Sequence, residues 1–369
     1  MLNEVNKLRE CIDLSELNNF EGICCASDID DFLELCSINK KELKRLVVID
    51  IENVPNIEFY KIDLLSINSI KVNLNKSYFL YLGTKKYTWE VFEPTCKLLS
   101  RYGIKKFYIN KEFDVKYKWI NESYMNYDYF LKNIQRIITI YDCLDDLESK
   151  KTFLSVIKAR LEKEIGYFPI SPIDEYFHPE VKIEQGNTII DAGIGSYLDP
   201  TFKFAKIVGR KGKVLSFEPS KPAYEKASNF FKKYNNIQFY NLGIYDQEGL
   251  IDFEETNDDG AHIAEIRNTG RSITQYRMTS IDIFYNKNQY DRCDFIKLDV
   301  EGAELKALYG ARETIKKYSP KLAVCVYHMP CEQLIDICDY MMKQYPFYTY
   351  YMLHHSPHYI DTILYAKKK

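Results

Sequence analysis

The chain has 369 residues and a formal charge of −3, from 50 Lys plus Arg against 53 Asp plus Glu. That balance lacks the basic footprint of a nucleic-acid binder or of a protein held on an acidic membrane surface, so no nucleic acid is expected as a partner. Apolar residues at 46% and charged residues at 28% exclude disordered and fibrous classes, and the length suggests about two domains.

Met1 to Asn19 mixes acids and bases and lacks the apolar run and small-residue cleavage site of a signal peptide. No later window approaches the roughly 18 consecutive apolar residues of a membrane span. Ten dispersed cysteines without a C-x-x-C pair read as reduced, buried thiols of a cytoplasmic protein.

Residues 1–115 alternate strand-like and helix-like segments. Glu21 to Ala26 reads as a buried strand, and Ser27 with Asp30 as a capping box before Ile29, Phe32, Leu33 and Cys36 at helical spacing. Leu46 to Ile51, Tyr78 to Leu82 and Lys106 to Ile109 read as further strands, with a helix ending near Arg101. Alternation of this kind predicts a parallel sheet and a small Rossmann-like domain. Its first turn, Cys24-Cys25-Ala26-Ser27-Asp28, has no glycine and places an acid where a pyrophosphate would sit. The domain therefore reads as a degenerate Rossmann-like scaffold that positions the acceptor or mediates dimerisation into a homodimer. Residues 116–180 read as a helical connector, with Leu144, Leu147, Phe153, Leu154, Ile157 and Leu161 forming an apolar stripe over Tyr141 to Glu164.

Residues 181–369 carry the chemistry. Thr188 to Ala192 is a strand entering the turn Asp191-Ala192-Gly193-Ile194-Gly195, and Leu198 stands where a dinucleotide fingerprint wants its third glycine. S-adenosylmethionine (SAM) has no phosphate and carries a sulfonium and an ammonium, so a carboxylate beside a tight turn suits it better than an anion nest. The next strand, Lys213 to Phe217, ends in Glu218, 25 positions after Gly193, where an acid can accept hydrogen bonds from a ribose diol. Ile237 to Tyr240 is a third strand, and Asn241 to Asp246 after it could cup an adenine, with Asp246 the weaker cofactor candidate. Phe295 to Leu298 is a fourth, ending in Asp299, Val300 and Glu301.

The run Asp294-Phe295-Ile296-Lys297-Leu298-Asp299-Val300-Glu301-Gly302-Ala303-Glu304-Leu305 resembles the signature of the FkbM family of SAM-dependent methyltransferases. Leu308, Gly310-Ala311, Pro320 to Ala323, Phe217-Glu218-Pro219 and the closing Thr362 to Ala366 extend the resemblance over about residues 180–369. It implies an α/β architecture with a C-terminal class I Rossmann-like methyltransferase domain, SAM across the strand ends, and Asp191, Gly193, Gly195 and Glu218 as cofactor residues. The family's first motif has a further glycine where Ser196-Tyr197-Leu198-Asp199 stands here. The resemblance also implies an acceptor hydroxyl on a sugar or glycan-linked substrate; N-methylation of an amine uses the same fold and stays open.

Hydroxyl methylation needs a base or a metal that lowers the hydroxyl pKa. His328, following Leu322 to Tyr327, is the expected base or a substrate ligand, and a structural histidine is its alternative. Asp299 is a second catalytic candidate or a helix cap, and with Glu301 it could hold a divalent metal and a sugar diol, although nothing in the spacing demands a metal. His355, with His354 and His358 in an irregular segment, could form another wall of the substrate site or a metal patch. Asn257 to Arg277 reads as a long polar loop over the substrate, with Arg267 and Arg271 suited to a phosphate or nucleotide carrier. Two other functions compete: a nucleotide-sugar oxidoreductase using the N-terminal domain, and a non-catalytic binding scaffold.

Overall fold

The computed structural model describes residues 124–163, 167–194, 198–255, 272–328, 331–356 and 358–369, with the backbone of short strands at 21–25, 46–48, 62–64, 78–82, 106–109 and 261–263. The chain divides into two compact units. One comprises Met1–Leu131, Lys151–Ile173 and Leu353–Ile360; the other comprises Lys132–Lys150, Asp174–Met352 and Asp361–Lys369.

In the first unit, β1 (Glu21–Cys25), β2 (Leu46–Val48), β3 (Ile62–Leu64), β4 (Tyr78–Leu82) and β5 (Lys106–Ile109) form a parallel sheet in the order β3-β2-β1-β4-β5. The first strand lies in the middle and the chain winds outward on both sides, the Rossmann-like order. The expected helices after Ser27 and before Gly103 lie outside the described residues. β3 is an addition: Ile62-Asp63-Leu64 is too short a pattern to separate from loop.

Among the described residues three helices follow, α1 (Tyr127–Lys132), α2 (Ile134–Cys143) and α3 (Leu147–Glu162). The stripe expected over Tyr141 to Glu164 is broken at residues 144–146, because Asp146 caps a new helix by accepting the Ser149 N–H at 2.6 Å. Leu147 consequently leaves the stripe and is 63% exposed, while Leu144, Phe153, Leu154 and Ile157 are buried.

The second unit alternates β6 (Thr188–Ala192), α4 (Asp199–Val208), β7 (Lys213–Phe217), α5 (Lys221–Phe230) and β8 (Ile237–Tyr240). Proline in the first turns of α4 and α5 fits their starts. Next come β9 (Gly243–Ile244), β10 (Gly249–Glu255), β11 (Ala261–Ile263), β12 (Ile273–Thr279) and α6 (Ile281–Asn288), whose Ser280 cap accepts the Ile283 N–H at 3.1 Å. The remainder is β13 (Phe295–Leu298), α7 (Glu304–Tyr309), α8 (Arg312–Tyr318), β14 (Lys321–Cys325), α9 (Gln333–Gln344), β15 (Tyr348–His354) and β16 (Thr362–Lys368).

Seven strands pair as β15-β16-β14-β13-β6-β7-β8, with β16 antiparallel to β14 and the neighbours from β14 to β8 parallel. β6 and β13 are buried along their whole length, which is why they read as apolar runs rather than as alternations. Strand order reverses between β6 and β13, so a crevice opens at their carboxyl ends.

The long loop expected from Asn257 to Arg277 is corrected by the structure: it contains β11 and most of β12. These pair antiparallel with β10 in a second sheet, β11-β10-β12-β9. Phe253 and Met278 are driven inward against Tyr245 and Ala303, while the alternating polar residues of β12 face water, and that exposed face gives the sequence its loop-like polarity. Among the described residues no helix is long and apolar enough to cross a membrane.

Candidate functional site

The carboxyl ends of four neighbouring strands are tied together just beyond the strands themselves. The Gly193 N–H donates to Phe217 O at 3.0 Å, the Glu218 N–H to Tyr240 O at 3.1 Å, and the Asp299 N–H to Ala192 O at 3.1 Å. Gly193 permits this closure. Its φ of 81° is left-handed, and a Cβ there would overlap the Asp299 carbonyl oxygen. Gly195 lies outside the described residues.

Beneath the turn sits Lys297, a buried lysine within β13. Its ammonium donates to the carbonyls of Ala192 (3.3 Å) and Gly193, and stands 3.6 Å from Asp191 Oδ1 and 3.4 Å from Asp299 Oδ2. Burial pulls the lysine down, but the two carboxylates outweigh it and raise it above its ordinary value. Asp191 is 1% exposed, and its Oδ2 accepts from Thr201 Oγ1 at 2.7 Å and Ser216 Oγ at 3.2 Å. Burial pushes this carboxyl up more than Lys297 and the two hydroxyls pull it down. Asp191 thus braces the turn from inside.

Asp299 is the hub. Its Oδ2 accepts the Tyr176 hydroxyl at 2.9 Å and its Oδ1 the Tyr327 hydroxyl at 3.1 Å. Burial favours the neutral acid, yet Lys297, His328 and the Tyr176 hydroxyl hold the group below the usual carboxylate range. His328, three residues beyond β14, places Nε2 3.5 Å from both Asp299 Oδ1 and Glu301 Oε2, and Nδ1 2.9 Å from Glu304 Oε1. Burial lowers the imidazole, but Glu304, Glu301 and Asp299 together raise it to about 10. At neutral pH it carries its proton, so in this arrangement it is a cationic clamp, and it must give up that proton before acting as the expected base.

Glu301 adopts a left-handed φ of 55°, sparsely populated for a residue with a Cβ. Burial, with Asp299, Glu304 and Glu218 adding and His328 opposing, raises its carboxyl to about 7. The side chain is nevertheless 53% exposed, so water screens part of that penalty. β7 and β13 both run parallel to β6, so Glu218 and Glu301 follow strands at the same, carboxyl edge of the sheet. Glu218 is buried there, with its Oε1 accepting the Ser220 N–H at 2.9 Å. Asn241 fixes that corner by donating to the carbonyls of Glu218 (3.0 Å) and Pro219 (2.9 Å). Asp246, farther along the same segment, pairs with Lys306 at 3.2 Å.

Arg267 and Arg271 lie outside the described residues. His354 ends β15, contrary to the irregular segment expected for it, because Tyr348 to His354 continues as a buried strand. It stacks on Phe168 at 4.3 Å, and His355 is buried with Nδ1 2.9 Å from Ile173 O. These histidines belong to the first unit. Among the described residues, the group of at least three side chains able to converge on a cation is Asp299, Glu304 and His328.

The sequence pattern does not single out Lys297, Glu304, Tyr176 or Tyr327. A lysine inside Phe295-Ile296-Lys297-Leu298 is a usable signal, since lysine is rarely buried without a partner. Tyr176 has no such signal, being 123 residues from Asp299 in the chain.

An acid-lined crevice with its one buried lysine already engaged is suited to a cationic ligand and a diol, and unsuited to a pyrophosphate. Comparison with known proteins agrees with the fold. Residues 190–350 match the family described as the Methyltransferase FkbM domain. Methyltransferase FkbM from Methylobacillus flagellatus superposes with a TM-score of 0.55 at 17% identity, over 96% of this chain and 92% of that one. Fibrillarin from Aeropyrum pernix, solved with natively bound SAM, matches at a TM-score of 0.33 and 12% identity, over 50% of this chain and 69% of that one. No curated protein matches.

Proposed function

With an FkbM-family methyltransferase domain in the C-terminal half of the chain, we propose that this enzyme transfers a methyl group from SAM to a hydroxyl of a sugar or glycan-linked substrate. The observation that carries the reading is the set of carboxylates at the switch point, Glu218, Asp299 and Glu301, around a turn closed by Gly193. SAM offers a sulfonium, an ammonium and a ribose diol, each of which a carboxylate can bind. Glu218 would take the diol. The turn from Gly193 to Gly195 would hold the methionine end, with Asp191 bracing it, and Asp246 would border the adenine.

When bound, SAM supplies a methyl group on a good leaving sulfonium. The chain must align the acceptor oxygen, keep water out and accept one proton. Asp299, fixed by two tyrosine hydroxyls, and the His328 clamp would orient the acceptor. Glu301, the more exposed carboxylate beside His328, is positioned to receive the proton. Arg267 and Arg271 remain proposed acceptor contacts. A cytoplasmic setting, and an N-terminal domain that positions the acceptor or pairs two chains, complete the proposal.

The test is calorimetric titration of the purified chain with S-adenosylhomocysteine, with NAD as the control. Binding of the former alone is expected, and Glu218→Ala should weaken it by about 1–3 kcal/mol. Uptake of NAD instead would overturn the reading. Labelled SAM with a panel of sugars should then give alkali-stable methyl ethers; label found only on amines would replace the hydroxyl acceptor.

A further inference from the structure

We propose that Asp299, Glu304 and His328 form a binding site for one divalent first-row cation, of the Mn²⁺ class, at the acceptor side of the crevice. One ligand atom from each residue lies within 4.8 Å of the others. Ligand atoms sharing one such cation stand roughly 3–4.5 Å apart, so small side-chain rotations close the site.

Buried atoms without a satisfied role point to the same ligand. The Glu304 side chain is 0% exposed and that of His328 is 8% exposed. Glu304 Oε1 accepts the Val300 N–H at 2.8 Å, whereas its Oε2 has no hydrogen-bond partner. His328 Nδ1 stands 2.9 Å from Glu304 Oε1 without an aligned hydrogen bond. A buried carboxylate oxygen left unpaired is costly, and native proteins place a counter-charge or another donor against it.

Charge favours a cation. Lys297 is held on the inner side by Asp191, Asp299 and two carbonyls, while Glu301 and Glu304 lie against His328. Among the described residues, the cationic side chain within 4 Å of Glu301 and Glu304 is His328. An entering cation displaces the His328 proton, and two carboxylates with one neutral imidazole suit Mn²⁺ and its first-row neighbours better than Ca²⁺, which prefers all-oxygen shells. The Tyr176 and Tyr327 hydroxyls on Asp299 supply the outer hydrogen bonds that orient a metal-ligating carboxylate. The cation's role, lowering the pKa of an acceptor hydroxyl and holding it in line, rests on the methyltransferase reading; its binding does not.

The experiment is titration of the chelator-treated full chain with Mn²⁺ alone, followed by calorimetry and by the electron spin resonance of free Mn²⁺. S-adenosylhomocysteine is titrated separately into the same preparations. One equivalent of Mn²⁺ is expected to bind the wild type, with at least tenfold weaker binding in His328→Ala and in Glu304→Gln, both still binding S-adenosylhomocysteine. Should Glu304→Gln fail to fold, His328→Ala and the wild-type stoichiometry still decide. Absence of Mn²⁺ binding, or equal binding by wild type and variants, overturns the inference. If S-adenosylhomocysteine binds and Mn²⁺ does not, the cation site falls and the methyltransferase reading stands. If Mn²⁺ binds and S-adenosylhomocysteine does not, the reverse holds.

Discussion

The two parallel sheets share a winding order and part company at the end of their first strand. β3-β2-β1-β4-β5 in one and β8-β7-β6-β13-β14 in the other run through the same sequence of crossovers. β1 ends in Cys24-Cys25, and the chain continues Ala26-Ser27-Asp28; β6 ends in Asp191-Ala192 and turns at Gly193. A shared topology supplies a crevice in principle, and the residues at the strand ends decide whether it does chemistry. In the C-terminal sheet one glycine lets the β6 turn lie on the β13 backbone, and Asp191 and Asp299 then share the ammonium of Lys297.

Gly193→Ala is the most direct way to break that difference. The new Cβ meets a backbone carbonyl that cannot swing aside, at a left-handed φ. Destabilisation on the order of 4 kcal/mol is expected, with loss of S-adenosylhomocysteine binding. Urea unfolding checks it: a wild-type midpoint would put the two strand ends on an equal footing.

Lys297→Met comes next. It leaves Asp191 as a buried carboxyl without its counter-ion and Asp299 with His328 alone, an imbalance worth about 3–5 kcal/mol. Adding Asp191→Asn to the same chain should restore part of the loss, because the stranded inner charge goes with it. A double variant no more stable than the single one would mean that the lysine acts through its carbonyl contacts instead.

Asp299→Asn sharpens the division of labour within the crevice. Turnover should fall by about 10²-fold or more, with S-adenosylhomocysteine affinity held within a few-fold. A matching fall in that affinity would move Asp299 from the acceptor side to the cofactor side.

Much of this contrast is legible in the sequence, because strands of a parallel sheet announce themselves as apolar runs. Glu21 to Cys25, Tyr78 to Leu82, Thr188 to Ala192, Lys213 to Phe217 and Phe295 to Leu298 are such runs, and each is a strand. β12 looks like loop in sequence because Ile273 to Arg277 mixes exposed polar residues with an exposed Ile273, and its pairing with β10 is a tertiary fact. The acids at strand ends were visible for the same reason the strands were. What Asp191 does was not: a carboxylate at a strand end looks alike whether it faces a ligand or, as here, two hydroxyls and a lysine within the protein. The His328 environment was hidden too, since Glu304 approaches it from the far side of a turn whose left-handed Glu301 no local pattern predicts.

The smallest effect contrasts the acid-rich centre of the C-terminal sheet with its outer edge. His178 is buried, stacked on Tyr351 of β15 at 4.7 Å and near Tyr365 of β16 at 5.0 Å, and its Nδ1 accepts the Glu180 N–H at 3.1 Å. Burial pushes the imidazole from 6.5 down to about 4; Lys367 adds to this, and Asp146 and Glu180 oppose it. The unfolded chain therefore takes up this proton first as pH falls. Stability from neutral His178 is complete above pH 6.5 and drains away as pH drops towards about 4. After solvent screening the loss is on the order of 1–2 kcal/mol. His178→Asn keeps an acceptor oxygen near the Nδ1 position and cannot titrate, so its unfolding free energy should fall less over that window. If wild type and variant lose stability in parallel, the acid-sensitive group lies elsewhere and the outer edge of the sheet is no weaker than its centre.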